Sequence, residues 1–425
     1  MNHSSRHSVV AAMLAAGLVT VLAGCSTETG EPAAEGDQVI TLGTDDTVRI
    51  QPVIDAFEQA NPGVKIEVQS GGNSYQEFLR TRLASKTAPD VLRTFPGAGN
   101  VAGVLSLDSA GALEDLSGQS WVGELTPQQL NLFGTADDRV LSVPVGALAL
   151  GPVYNDQTLE GLGASVPTTL DEVLQLCDAA AEQNKVAFAI FQKGGGVVPT
   201  YSMVAPLVYG PEPDFTERQL AGEVSFTDSG WTKAYAIQQQ MLDRGCFQDG
   251  PNGTDYNAAA ALVANGDAVA TFAFSDTTGL EDISPEGTTY TIAPFPTSDN
   301  PEDRYLAVAD SNGFGVNADA KQKELALKFV EFIGTPKAQI LFANAAKGAP
   351  ALPTEQFQPE GTNQKVIAEY QLAGKTAAWP DQEWPGAEVV QSVDQVVQRL
   401  FNGEDTPQTA TQKMDDAFKA AADAR

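Results

Sequence analysis

The sequence predicts an α/β protein of two lobes joined by crossing strands. Three observations lead there. The first is the run at residues 141–155, LSVPVGALALGPVYN. It is apolar on both sides, as a strand covered on both faces must be, and long enough to leave one sheet and enter another. The second is the order strand, helix, turn, strand over residues 38–68, a βαβ unit that calls for a parallel sheet. The third is size. The chain has 425 residues, and roughly 400 remain after the leader, more than one core usually organises. Gly146 and Gly151 are expected to bend the long strand between the lobes, because glycine has no Cβ to restrict φ and ψ.

The leader is residues 1–24. Arg6 lies in a polar start, and residues 9–22 form an apolar run too short to span a membrane comfortably. Leu22-Ala23-Gly24-Cys25 follows directly and resembles the bacterial lipobox, so lipidation of Cys25 is expected. Two or three acyl chains anchor a protein stably where one does not. Residues 25–36 are small, polar and acidic and read as a flexible tether.

The first lobe opens with the alternating strand 38–43 and Thr44-Asp45-Asp46. A helix follows, with Ile50, Val53, Ile54 and Phe57 at helical spacing. Asn61-Pro62-Gly63 ends it before the strand 64–68. A helix over 75–85 and a strand over 91–95 come next. Beyond the crossing strand, Pro167-Thr168-Thr169 caps a helix over 170–183 with Asp171 and Glu172 in its first turn. A strand over 186–191, a glycine-rich loop 192–196 and a helical stretch 200–209 follow. Further helices are expected around 231–242 and 258–265. A strand over 268–274 precedes Ser275-Asp276, and another covers 290–293. Residues 313–317 lead into a helix over 322–333, and helices around 389–400 and 406–421 close the chain.

Composition excludes several functions. With 25 basic and 55 acidic residues the net formal charge is −30, which disfavours nucleic acid and anionic lipid as partners. The two histidines, His3 and His7, both lie in the leader. The mature chain thus lacks Ser-His and Cys-His catalysis and His-ligated zinc. No catalytic residue, metal or cofactor is expected. Of the three cysteines, Cys177 and Cys246 remain beside Cys25. Each sits in or after a helical pattern, and a structural disulfide between them is expected outside the membrane. Residues 95–100, FPGAGN, miss the dinucleotide fingerprint because Gly103 falls one place late, and Gly194-Gly195-Gly196 lacks the Lys-Ser/Thr of a phosphate loop. Asp45 or Asp46 with Asp276 or Asp310 form carboxylate pairs of the kind chance supplies among so many acids; as glycosidase pairs they define an alternative function.

The order ITLGTDD, VIDAFEQANPGVKIEV, YQEFLRTRLASKTAPDVL, then LSVPVGALALGPVYNDQTLEGLGASVPTTLDEVLQLCDAA, ALVANGDAVATFAF, YTIAPFP and SNGFGVNADAKQKELALKFVEFIGTPKAQILF resembles the extracellular solute-binding proteins of family 1. These are lipid-anchored or periplasmic receptors of ABC importers, most of them for sugars. The resemblance covers nearly the whole mature chain. It implies a type II periplasmic-binding-protein-like fold with ligand between the lobes. The N-terminal lobe would comprise residues 37–148 and 275–316, and the C-terminal lobe 149–274 and 317–425. It also implies a monomer on the outer face of the cell membrane, a carbohydrate ligand taken by hinge closure, and a permease that recognises the closed state. A polyamine, a peptide or a glycerol-phosphate compound is the alternative ligand.

A sugar site needs flat aromatic platforms and planar polar groups. Trp379 and Trp384 lie in the segment AWPDQEW with Asp381 and Glu383, and in the family the segment before the penultimate helix lines the cleft. Phe191, Gln192 and Tyr201 resemble a second stacking segment. Asp45, Asp46, Arg93, Thr94 and Phe95 fall at the C-terminal ends of strands, where open α/β sheets bind ligands. Asp276 follows the second crossing strand and Asn312 precedes the third. Trp231, beside a helix start, is expected to pack. Gly43-Thr44 stand where many relatives carry a tryptophan after the first strand.

Overall fold

The computed structural model describes residues 38–71, 75–98, 101–193 and 195–424. The leader, Cys25 and the tether lie outside the described residues. Nine strands are described: β1 (Gln38–Gly43), β2 (Val64–Gln69), β3 (Val91–Thr94), β4 (Val143–Asn155), β5 (Val186–Ala189), β6 (Ala268–Phe274), β7 (Tyr290–Ile292), β8 (Leu306–Val316) and β9 (Thr376–Ala377). They run in the order β2-β1-β3-β8-β4-β6-β5, with β7 on β4 and β9 on β8. β1 pairs in parallel with both β2 and β3, as a βαβ opening requires.

β4 is the strand that joins the lobes, and all thirteen of its residues are buried. Its first half pairs antiparallel with β8, and residues 150–154 pair with β6. Gly146, between the first pairs, has φ +67°, a conformation that a Cβ penalises. Gly151 is needed for a different reason from the expected bend. A Cβ there would lie 2.5 Å from the Ala293 carbonyl oxygen, so glycine permits the chain after β7 to pass close.

Three apolar cores follow. In the first lobe, one sheet face packs Ile40, Phe57, Phe314, Phe329 and Phe342, and the other packs Tyr75, Leu92, Leu107 and Phe133. The second lobe holds one larger core, from Ala149 to Ala421. Their membership differs from the expected lobe boundaries at two places. The helix Lys323–Ile333 packs in the first lobe, where Phe329 meets Phe57 with ring centroids 5.0 Å apart, and Pro336–Ala345 follows it there through Ala338 and Phe342 while its Ala343 touches the second core. Their apolar faces cover the sheet beside helix Thr47–Ala60, a surface that nothing else in the first lobe would shield from water. Conversely, Leu280, Tyr290, Ile292 and Phe295 belong to the second core, and Phe295 stacks at 5.8 Å on Phe272 of β6. Residues between β6 and β8 thus stay on the second lobe.

Cys177, in helix Leu170–Glu182, is bonded to Cys246, just after helix Gly230–Asp243, with Cα atoms 4.8 Å apart. The bond closes a loop over a sequence separation of 69. In the chain-entropy account such a loop contributes roughly 4 kcal/mol. Replacing both cysteines by serine should lower the unfolding free energy by about that amount. Thiol labelling of denatured, unreduced wild-type protein should find neither cysteine.

Candidate functional site

The strand ends of both lobes converge on one cleft. On the first-lobe side, Arg93 of β3 and Asp45, which follows β1, form an ion pair. Arg93 Nε also donates to Asn312 Oδ1 of β8 at 2.8 Å, and its guanidinium lies 4.6 Å from the centre of the Phe95 ring. Asn312 Nδ2 donates in turn to Asp46 Oδ2 at 3.2 Å. Burial pushes the Asp46 carboxyl up, and Arg49 and Arg93 oppose the shift. Arg49 then bridges Asp46 at 3.7 Å and Asp276 at 3.4 Å. Sequence reasoning named Asp45, Asp46, Arg93, Phe95, Asn312 and Asp276, and the fold links them in one chain of polar contacts. It missed Arg49, a cation that reaches from the first lobe to Asp276 of the second. The signal available was its place in the first helical turn after two aspartates.

Thr94 does not belong to this wall. Successive residues of a strand face opposite sides, so with Arg93 and Phe95 in the cleft Thr94 turns inward. It is fully buried, and its hydroxyl lies 2.6 Å from that of Ser142.

The second-lobe wall is aromatic. Phe274, the last residue of β6, is 44% exposed and tilts against Trp379 at 5.3 Å. Tyr256, 38% exposed, meets Phe191 edge-on at 5.3 Å. Phe274 and Tyr256 were missed, although alternation along AVATFAF, with Phe272 inward, sends Phe274 outward. Beside these rings lies a set of buried polar atoms with no hydrogen-bond partner in the protein. They are both amide atoms of Gln192, the Tyr201 hydroxyl, Trp379 Nε1, Asp381 Oδ1 and Asp394 Oδ1. Gln192 Oε1 and Asp394 Oδ1 both approach Gly196, where a Cβ would lie 2.6 Å from one and 3.1 Å from the other. Burial, with Asp381 and Asp394 nearby, raises the Tyr201 hydroxyl, and burial pushes the Asp381 carboxyl up to about 6. Unpaired buried donors and acceptors of this kind cost stability.

Three expected platforms are corrected. Trp384 is 2% exposed and packs against Tyr201, Phe226 and Trp231 at 5.8–6.0 Å. The turn at Pro380–Gln382 carries it inward, away from Trp379. Phe191 and Tyr201 are also buried, so their ring faces support the wall and only the Tyr201 hydroxyl reaches toward Asp381. Glu383 lies apart from Asp381. It faces Gln128 and Thr216 and lines an interlobe crevice of about 410 Å³ with Gly97, Leu132, Leu220 and Gln382. Trp231 is fully buried, in keeping with a packing role.

Asp310 lies two residues before Asn312 on β8 and so on the same strand face. It is buried and accepts from Gln129 Nε2 at 2.8 Å. Burial pushes its carboxyl up to about 7. The folded chain therefore holds a proton there that the unfolded chain has released, and this contribution to stability falls as pH rises from the ordinary carboxylate range through about 7. Asp310→Asn, which keeps an acceptor for Gln129, should be more stable than wild type at about pH 8 and lose that advantage near about pH 4. Denaturant midpoints at several pH values check this.

Among the described residues, no group of three or more acidic, cysteine or histidine side chains is placed to hold a metal, and no helix is long and apolar enough to cross a membrane. A cavity of about 550 Å³ is lined by Ser275 and Thr277, on either side of Asp276, with Lys347, Glu360 and Asn363. Its polar groups are engaged within the protein: Lys347 pairs with Glu281 at 3.1 Å and Asn363 accepts from Ile292 N at 2.9 Å.

Two lobes joined by crossing strands, with a cleft between them, define a receptor for a small molecule. The bacterial extracellular solute-binding protein family matches residues 43–340, and the chain belongs to that family. It is a binding protein. It is 22% identical over 342 residues to the multiple sugar-binding protein of Streptococcus mutans, covering 79% of each chain. It is 24% identical over 234 residues to the melibiose/raffinose/stachyose-binding protein of Bacillus subtilis, covering 53% of each. A family 1 extracellular solute-binding protein from Bifidobacterium longum subsp. infantis shares the fold, with a TM-score of 0.74 and 19% identity over 91% of this chain and all of that one.

Proposed function

We propose that this protein captures an oligosaccharide in the cleft and delivers it to an ABC permease, held on the outer face of the cell membrane by lipid on Cys25. The observation that carries the ligand class is the second-lobe wall. Phe274 and Trp379 offer apolar faces, while Gln192, Tyr201, Trp379 and Asp381 hold donors and acceptors without a partner in the protein. A sugar ring matches both, with apolar faces and hydroxyls that donate and accept. The names of the two curated relatives support the same class. Asp381 and Asp394 stand in no ion pair described here, which favours a basic ligand such as a polyamine as the second reading.

Thermal shift with raffinose, stachyose, other oligosaccharides and spermidine separates the two. A ligand at 100 times its Kd adds roughly 2.7 kcal/mol. Stabilisation by a sugar and not by spermidine supports the first reading; the reverse outcome rejects it. For the anchor, Cys25→Ala should release the protein from membranes, and a variant that still sediments with them after a salt wash would rule the anchor out.

A further inference from the structure

We propose that Gly97 is the seat on which the two lobes meet, and that the Arg49–Asp276 ion pair is the latch that holds them there. Together they determine how far the cleft closes and hence how tightly a ligand is held. The seat is independent of the ligand's identity; its consequence for affinity rests on the sugar reading.

Gly97 belongs to the first lobe. Its N–H donates to Leu132 O at 2.9 Å, and its carbonyl accepts from Leu105 N at 3.1 Å. Its φ is +66°. The atom facing its Cα is the carbonyl oxygen of Gln382, in the second-lobe turn between Trp379 and Trp384. A Cβ on Gly97 would collide with that oxygen. The obstacle is backbone, in a turn whose neighbour Trp384 is packed in the second core, so no side-chain rotation relieves it. Only a wider angle between the lobes does. At a separate place Arg49, whose helix packs in the first core, reaches Asp276 of the second lobe. Asp276 is held by Thr278, whose hydroxyl donates to it at 2.7 Å. Both side chains of this pair are partly exposed, so salt should weaken it.

Spin labels on Glu77→Cys and Lys419→Cys, exposed positions on the two lobes, report lobe separation. The distance distribution is measured without sugar and with raffinose. Wild type should show a closed component. Gly97→Ala and Gly97→Asn should both lose it, and should bind the best sugar of the thermal screen at least roughly tenfold more weakly. Asparagine tolerates positive φ but keeps the Cβ, so it separates collision from backbone strain. Gly111→Ala is the matched control. Gly111 has φ +65° with nothing near its would-be Cβ, and the variant should keep the closed component. Arg49→Gln should reduce that component and weaken its salt dependence, the part left being that of the other pair between the lobes, Lys347–Glu281.

The seat is refuted if either Gly97 variant keeps the wild-type closed component, if Gly111→Ala loses it too, or if wild type never shows one. Should raffinose and every other sugar leave wild type unchanged, the sugar reading fails, and the sugar-free distances still decide the seat.

Discussion

Trp384→Ala is expected to lose roughly 3–5 kcal/mol of stability, the range for truncating a large buried aromatic. Trp384 lies edge-on to Tyr201 and Phe226 and against Trp231, so its removal opens a cavity inside the second-lobe core. The surrounding rings are held by three different segments and cannot all collapse into the space. Urea unfolding measures the loss. Ligand affinity of the protein that remains folded should change little. A Trp384→Ala protein that unfolds with wild type but no longer binds would make Trp384 a platform after all.

Trp379→Ala is expected to do the reverse. Trp379 packs against the core from its edge and lies against the exposed Phe274 ring, and its Nε1 has no partner in the protein. Losing a stacking face and a directed donor at the centre of a site is worth about 2–3 kcal/mol, or roughly a hundredfold in affinity. The melting temperature should stay near wild type. Sugar should also change tryptophan emission in wild type, and the change should shrink in this variant. If Trp379→Ala and Phe274→Ala both bind sugar as wild type does, the aromatic wall is not the ligand's platform.

These two residues, five apart in one segment, show where sequence reasoning stops. Composition and motif place both near a ligand, because both are tryptophans in a polar loop. Which ring enters the core depends on the turn at Pro380–Gln382 and on a space left between Tyr201, Phe226 and Trp231, three residues far away in sequence. Thr94 was legible in principle: strand alternation sends it opposite Arg93. Arg49 was legible only as a surface cation, since its partner Asp276 is 227 positions away.

The sequence by itself determined the parallel βαβ opening and the apolar crossing strand, read over residues 141–155 and found as β4 over Val143–Asn155, and its ordered motifs carried the resemblance to a two-lobe family. The first two follow from local spacing, which folding does not alter; the third is a likeness of motifs in order. The tertiary structure alone decided which lobe owns the helices after β8, which aromatics face the cleft, and where the lobes touch. Helices Lys323–Ile333 and Pro336–Ala345 carry an apolar face that would suit either lobe. They join the first because its sheet beside Phe57 is the surface left uncovered, and burial of apolar area depends on what lies opposite, which no stretch of sequence contains.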